Sequence, residues 1–237
     1  MYTRSAEVYD AIYDSIGKDY AQEAEKLHKF IQGHKRSPGN RLLDAACGTG
    51  RHLEHLRKWY DVEGLDLSPE MLEVARRRLP NVPLHRDDLL RFRLERRFDA
   101  ITCLFGSIAY VKTFENLRRA VANMAEHLVP GGVLVIEPFL RPEDFRSQYL
   151  HANFVDRPDL KVARMNVSAR EGNVFIANFH FLVGTPEGIE YFTEHHELGM
   201  FTDEEYRDAL RSAQLEVFHD PEGPMGRGLF LGRKPLP

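Results

Sequence analysis

Leu42-Leu43-Asp44-Ala45-Ala46-Cys47-Gly48-Thr49-Gly50 is the stretch on which the reading of this chain turns. Leu42-Leu43-Asp44 reads as a strand and Arg51 to Trp59 as a helix, so the two glycines fall in a strand-to-helix turn. In a doubly wound sheet that turn stands at the carboxyl ends of the strands, where ligands approach. Gly48 and Gly50 let backbone come close where a Cβ would collide with a ligand or strain the turn. A dinucleotide fingerprint requires a third Gly three residues further on, and Leu53 stands there. No Gly-Lys-Ser/Thr follows, which excludes a Walker-type phosphate loop.

Outward from this turn, strands and helices alternate. An N-terminal helical stretch covers roughly residues 6–34. Val62 to Asp66 reads as a second strand, and Ser68-Pro69-Glu70 opens a helix with Ser as N-cap and Pro at its first position. Val82 to Arg86 and Phe98 to Cys103 read as the third and fourth strands. Leu117, Val121, Met124 and Leu128 recur at the period of one buried helical face, and Pro130-Gly131-Gly132 is expected to stop that helix. Val133 to Ile136 is a continuous apolar run, as in a strand covered on both faces. The alternation implies an α/β fold with a doubly wound, mostly parallel sheet.

From about Val155 to Met200 the pattern becomes three long strand-like stretches, broken at residues 170–173 and 184–188, which predicts an antiparallel meander. Thr202-Asp203-Glu204-Glu205 is a capping box for a helix to Ser212, and Leu215 to Phe218 and Gly228 to Gly232 close the chain. We therefore expect a core of residues 1–140 and 201–237, and a small antiparallel β insertion over 141–200. Phe175, Ile176, Phe179 and Phe181 supply more apolar surface than one small meander needs, which predicts a homodimer through the insertion.

Composition narrows the class. The 237 residues are 43% hydrophobic and 29% charged, the balance of a soluble globular chain. The formal net charge of −4 argues against a nucleic-acid partner. Arg76-Arg77-Arg78 ends a helix, and Arg91, Arg93, Arg96 and Arg97 lie near a turn; both groups read as solvated surface. No apolar run approaches the roughly 20 residues that cross a bilayer. Met1 to Glu7 reaches charge at once, without the apolar region of a signal peptide, and the two cysteines sit in apolar stretches. The expected compartment is the cytoplasm.

Other strand ends complete a site with the glycine turn. Asp66 ends the second strand, where a carboxylate suits two ribose hydroxyls. Asp88 follows the third, where it can accept an adenine amino group while Leu89 packs on the ring. The fourth ends at Cys103-Leu104-Phe105, followed by Gly106-Ser107. His52 and His55, and His195-His196, lack a carboxylate and Cys set of metal spacing and read as surface or packing. Trp59 reads as packing its helix on the sheet, and Cys47 as a small packed side chain.

This constellation resembles the class I S-adenosylmethionine-dependent methyltransferases, with their Rossmann-like core, over residues 38–140. Longer pieces run nearly end to end: Glu7-Val8-Tyr9-Asp10, Gly17-Lys18-Asp19-Tyr20, His52-Leu53-Glu54-His55, Ala125-Glu126-His127-Leu128, Glu137-Pro138, Arg170-Glu171-Gly172 and Gly226-Arg227-Gly228-Leu229-Phe230. They are similar to the TDP-3-amino-deoxyhexose N,N-dimethyltransferases of macrolide amino-sugar biosynthesis. Phe139 and Leu140 stand where that family carries two Trp, Asn166-Val167-Ser168 where it carries Ser-His-Ser, and Asp87-Asp88-Leu89 where it carries Gly-Asp-Met.

The resemblance implies S-adenosyl-L-methionine as cofactor, bound by Tyr9, Asp44, Ala46, Gly48, Gly50, Asp66, Leu67, Met71, Asp88, Leu89 and Leu104. It implies a nucleotide-linked amino sugar held by Tyr20, Ser107, Phe139, Arg170 and Arg227, with Tyr110 and Tyr2 near the reacting amine. Arg227, flanked by glycines, suits a pyrophosphate oxygen pair. The chemistry needs an aligned, unprotonated nucleophile and no metal. Two other readings stay open: an O- or N-methyltransferase of another small metabolite, and a non-catalytic domain that binds S-adenosylmethionine.

Overall fold

The computed structural model describes residues 2–224 and 226–237; Met1 and Met225 lie outside them. Two helices come first, α1 (Ala6–Ser15) and α2 (Tyr20–His34), the second capped by Asp19, whose carboxylate accepts the Gln22 N–H. Then β1 (Arg41–Ala45), α3 (Arg51–Leu56), β2 (Asp61–Asp66), α4 (Pro69–Arg78), β3 (Leu84–Arg86), β4 (Phe98–Cys103), α5 (Phe114–Glu126) and β5 (Leu128–Ile136) build the parallel sheet. A five-stranded sheet follows: β6 (Leu150–Asp156), β7 (Lys161–Val167), β8 (Ala169–Glu171), β9 (Val174–Thr185) and β10 (Gly188–Gly199). α6 (Asp203–Ser212), β11 (Glu216–Asp220) and β12 (Leu229–Arg233) return to the first sheet, whose order is β11-β12-β5-β4-β1-β2-β3. Strand order reverses between β1 and β4, the switch point at which α/β sheets bind ligands.

Period-two alternation explains why both faces of this sheet are covered. Leu42, Ala100, Val133 and Val135 point to one face and pack with Ala24, Leu27 and Ile31 of α2 and Leu53 and Leu56 of α3. Leu43, Ile101, Leu134 and Ile136 point to the other and pack with Leu117, Val121 and Met124 of α5 and Leu210 of α6. At roughly 1.5–3 kcal/mol per buried Leu, Ile or Val, these two layers dominate the stability of the fold. A third cluster joins Val8, Ala11 and Ile12 of α1 to Val155, Val162, Phe181 and Phe192 of the antiparallel sheet. α1 therefore belongs to that sheet by packing, although Arg77–Glu7 and Arg78–Asp10 ion pairs also tie it to α4.

Helix ends follow the local signals. Ser68 accepts the Met71 N–H at the start of α4, with Pro69 at its first position, and Thr202 and Glu205 form the capping box of α6. Other expectations are corrected. α5 ends at Glu126, and Leu128 with Pro130-Gly131-Gly132 lies inside β5, because a turn at His127 reverses the chain directly into the sheet. The meander has five strands rather than three stretches: it begins at Leu150, and residues 170–171 pair with β9 instead of breaking it. Arg78 is not solvated surface; it binds Asp10 and the Thr49 carbonyl. Phe181 is buried and Phe175 packs on Phe139 and Phe145, so they do not form the exposed apolar surface. That surface exists, but Leu150, Phe154, Met165, Val167, Leu182, Ile189 and Tyr191 supply it. Among the described residues, no helix is long and apolar enough to cross a membrane.

Candidate active site

A cavity of about 590 Å³ opens at the carboxyl ends of β1, β2, β3 and β4, within the range of small-molecule sites. Its floor is the glycine turn. Ala46 N–H and Cys47 N–H both donate to the Leu65 carbonyl, at 2.6 and 2.9 Å, which folds the chain sharply off β1. Ala46 takes φ 67° and Gly48 φ 55°, and a Cβ added at Gly48 would meet nothing within 4 Å. Of five described non-glycine residues with positive φ, Ala46, Phe105 and Lys112 line this cavity. Strain held at a rim in this way marks a functional site.

Three carboxylates face the space from successive strand ends. Asp66 accepts Gly48 N–H on Oδ2 and Ser68 N–H on Oδ1, both at 2.8 Å. Two backbone donors orient it, and each oxygen keeps a further lone pair. Burial raises the Asp66 pKa, partly opposed by those N–H groups. Asp44 is 2% exposed and accepts the Thr102 hydroxyl at 2.8 Å; burial pushes it up to about 6. Asp88 accepts the Leu90 N–H on Oδ1 at 3.0 Å. Leu67, Met71, Leu89 and Leu104 supply apolar wall.

The opposite wall is aromatic and comes from the N-terminal segment and the antiparallel sheet. Tyr2, Tyr9 and Tyr20 line it. Tyr2 meets Tyr9 edge-on at 4.9 Å, Tyr9 meets Tyr13 at 4.6 Å and Tyr13 meets Phe105 at 4.9 Å. Burial pushes the Tyr2, Tyr9 and Tyr110 phenols up, so they stay neutral. The segment is pinned at two points. Glu194 accepts from Thr3 and Ser5, and the Ser68 hydroxyl donates to the Tyr2 carbonyl at 3.0 Å. Tyr110 lies in the short 3₁₀ turn Ser107–Val111, and its hydroxyl is 2.6 Å from His196 Nδ1.

The cavity thus gathers Tyr2, Tyr9, Tyr20, Asp44, Ala46, Gly48, Asp66, Leu67, Met71, Asp88, Leu89, Leu104, Ser107 and Tyr110. Gly50, Phe139, Arg170 and Arg227 stand outside the lining. Gly50 caps α3 at φ 77° against Leu79, and Phe139 packs beneath Gly106. Arg170 is exposed on β8, over the Phe145 ring. Arg227 binds buried Glu137 at 2.7 Å and lies over Phe105 at 4.8 Å, beside Lys18 at 3.9 Å from the same ring.

Several residues were not foreseen. His195 and Glu197 line the cavity, and buried His196 holds Tyr110, where sequence reading took the pair as surface or packing. The signal was available: adjacent histidines on a strand point to opposite faces, and an antiparallel sheet commonly packs one of its faces on the core. His52 is also buried, on Glu23 at 2.8 Å. Glu23 in turn binds Lys18 at 2.7 Å, and these contacts outweigh burial and hold its carboxyl below the ordinary range.

Residues 42–132 match the methyltransferase domain family, and the switch-point cavity built on the glycine turn is where that class works. The chain is 46% identical over 230 residues to the dTDP-3-amino-3,4,6-trideoxy-α-D-glucopyranose N,N-dimethyltransferase of Streptomyces venezuelae, covering 96% of each. It is 43% identical to the dTDP-3-amino-3,6-dideoxy-α-D-glucopyranose N,N-dimethyltransferase of Streptomyces fradiae, covering 96% of this chain and 89% of that one. Among solved structures, Streptomyces venezuelae DesVI aligns over 99% of this chain and 100% of its own, with 43% identity and a TM-score of 0.91. CalS10, an amino pentose methyltransferase from Micromonospora echinaspora solved with S-adenosylmethionine bound, aligns over 99% and 98%, with 41% identity and a TM-score of 0.86. The chain belongs to the family of dTDP-amino-sugar N,N-dimethyltransferases.

Proposed function

We propose that this enzyme methylates the amino group of a dTDP-linked 3-amino-deoxysugar twice, with S-adenosylmethionine as donor. The observation that carries the reading is a cavity with the Gly48–Asp66 cradle on one side and the Tyr110–His196 pair on the other, in a chain this similar to amino-sugar methyltransferases. The cradle fits the cofactor. Open space stands where Gly48 would carry a Cβ, Asp66 is oriented with lone pairs to spare, and acidic groups suit a cationic ligand. Asp66 would hold ribose hydroxyls, Asp88 and Leu89 the adenine, and Asp44 with the turn around Ala46 the amino-acid end. When bound, S-adenosylmethionine supplies an electrophilic methyl on a sulfonium.

Everything else is done by the protein. Tyr2, Tyr9 and Tyr20 exclude water, which favours the unprotonated amine. Tyr110 orients the amine, its phenolic oxygen accepting a hydrogen bond from the amine N–H. Arg227 sits on Phe105 beside Lys18 at the flank of the cavity, where Glu137 orients its guanidinium, and we assign Arg227 to the pyrophosphate. Residues 141–200 would form the substrate-side insertion on the core. Free, buried Cys47 and Cys103 suit the cytoplasm. Mass spectrometry of dTDP-3-amino and dTDP-4-amino sugars incubated with the enzyme should show gains of one and then two methyls. Turnover of a small hydroxyl or amine metabolite, with every dTDP-amino sugar left unchanged, would select the alternative acceptor class.

The exposed sheet face supports a homodimer. Leu150 lies opposite Val167 and Tyr191 opposite Leu182, with Ile189 78% and Phe154 63% exposed beside them. A row of this kind is covered by a second copy more readily than by water. A monomer in sedimentation at micromolar concentration would dispose of the dimer.

A further inference from the structure

His196 is a fully enclosed imidazole on an edge strand, in contact with Tyr110 and outside the cavity lining. It is 1% exposed, with Tyr110 Oη at 2.6 Å from Nδ1 and Glu194 Oε2 at 3.6 Å from Nε2. The second distance is that of an ion pair and longer than a hydrogen bond, and Nε2 has no hydrogen-bond partner among the described residues. A neutral imidazole carries one ring proton. The carboxylate draws it to Nε2, which leaves Nδ1 to accept the Tyr110 hydroxyl. The hydroxyl proton thus points away from substrate, and the phenolic oxygen keeps lone pairs for a donor in the cavity that Tyr110 lines.

We propose that His196 is a positioning residue that takes the Tyr110 proton while the Tyr110 oxygen takes one from the substrate ammonium. This inference rests on amine methylation at the same site. The substrate N–H bond breaks and a new O–H bond forms on Tyr110. The original Tyr110 O–H bond breaks and an N–H bond forms at His196 Nδ1. Tyr110 stays neutral throughout, as a phenol pushed up by burial requires. The charge ends on an imidazolium beside the Glu194 carboxylate, and their attraction closes the contact left open at 3.6 Å.

The groups facing His196 fit that traffic. Tyr110 comes from the 3₁₀ turn, Tyr2 from the N-terminal segment at 4.6 Å between rings, and Phe179 from β9 at 5.1 Å. Glu194 on β10 favours the imidazolium, whereas burial and the Arg164 guanidinium of β7 disfavour it. Burial prevails and holds the resting imidazole below its ordinary pKa, hence neutral and ready to accept at pH 7.

His196→Asn keeps an acceptor for the Tyr110 hydroxyl but cannot take a proton. On a dTDP-amino sugar we expect kcat near pH 7.5 to fall tenfold or more, with KM within about threefold. The remaining rate should climb with pH, because only amine already deprotonated in solution reacts. Tyr110→Phe combined with His196→Asn should lose no more than Tyr110→Phe alone. Unchanged kcat and pH profile in His196→Asn, or losses that multiply, would leave His196 a packing residue and overturn the proposal. Histidine ¹⁵N spectra of the wild-type protein give a second reading that needs no His196 variant. The signal that moves on Tyr110→Phe should report an Nε2–H tautomer, and an Nδ1–H tautomer overturns the relay. If the wild-type enzyme methylates no amino sugar, the functional reading fails, and the spectra still decide the tautomer.

Discussion

Replacing Glu194 by Gln keeps the shape of the side chain and removes its charge. Glu194 is 6% exposed. Its Oε1 accepts from Thr3 N–H at 2.9 Å, Thr3 hydroxyl at 3.0 Å and Ser5 N–H at 3.1 Å, and its Oε2 from Ser5 hydroxyl at 2.5 Å. Hydrogen bonds to a charged group contribute about 1.5–3 kcal/mol and neutral ones about 0.5–1.5. An amide oxygen retains three of the four bonds as neutral ones and the fourth must reverse, so at about 1–1.5 kcal/mol per converted bond the variant should lose roughly 3–4 kcal/mol.

The titration of the carboxyl leads to the same size by another route. Burial pushes it up, but His196, the Ser5 hydroxyl and the two backbone N–H groups outweigh burial and hold it at about 2, against an ordinary 4.5. A depressed carboxyl stabilises the fold above the unfolded pKa, and that stability is lost as pH falls from 4.5 toward about 2. At about 1.36 kcal/mol per unit this is roughly 3 kcal/mol at neutral pH, part of it owed to His196. Chemical denaturation of wild type and Glu194→Gln near pH 7 and near pH 3 measures the difference, which should shrink by about half at the lower pH. Amide exchange at Thr3 and Ser5 reads the same bonds locally and should quicken in the variant. Since those residues carry Tyr2 over the cavity, S-adenosylmethionine should also bind more weakly. A loss below about 0.5 kcal/mol near pH 7, or an equal loss near pH 3, would refute the reasoning.

Two further tests address the cradle. Gly48→Ala should cost about 1–2 kcal/mol of fold stability for its left-handed backbone, yet weaken S-adenosylmethionine at least tenfold by filling the space at Gly48; calorimetry with unchanged affinity would remove that space from the site. Burial pushes Asp44 up to about 6 from 3.8, so its ionised form weakens the apo fold as pH rises through that window while gaining attraction for a cationic ligand. Affinity for S-adenosylmethionine should therefore strengthen from about pH 5 to 7.5, approaching tenfold per unit below 6, and a flat profile would exclude Asp44.

The sequence by itself determined the parallel sheet, its glycine turn and the acidic strand ends, because each depends on local pattern. Apolar alternation, the Ser68 and Thr202 caps and the Gly48 turn act within a few residues, and parallel strands force their ends onto one rim. The wall opposite that rim was decided by tertiary packing. α1 reads as any amphipathic helix, yet its Val8 and Ile12 chose the antiparallel sheet, which brought Tyr2 and Tyr9 over the cavity. His196 is separated from Tyr110 by 86 residues, and only the docking of β10 on the 3₁₀ turn makes them partners. Arg227 sits among glycines in the sequence, but buried Glu137 and the Phe105 face fix its direction. Local pattern sets which elements form. Which polar side chains meet is set by long-range packing, because a buried charge or hydroxyl settles wherever the fold offers it a partner.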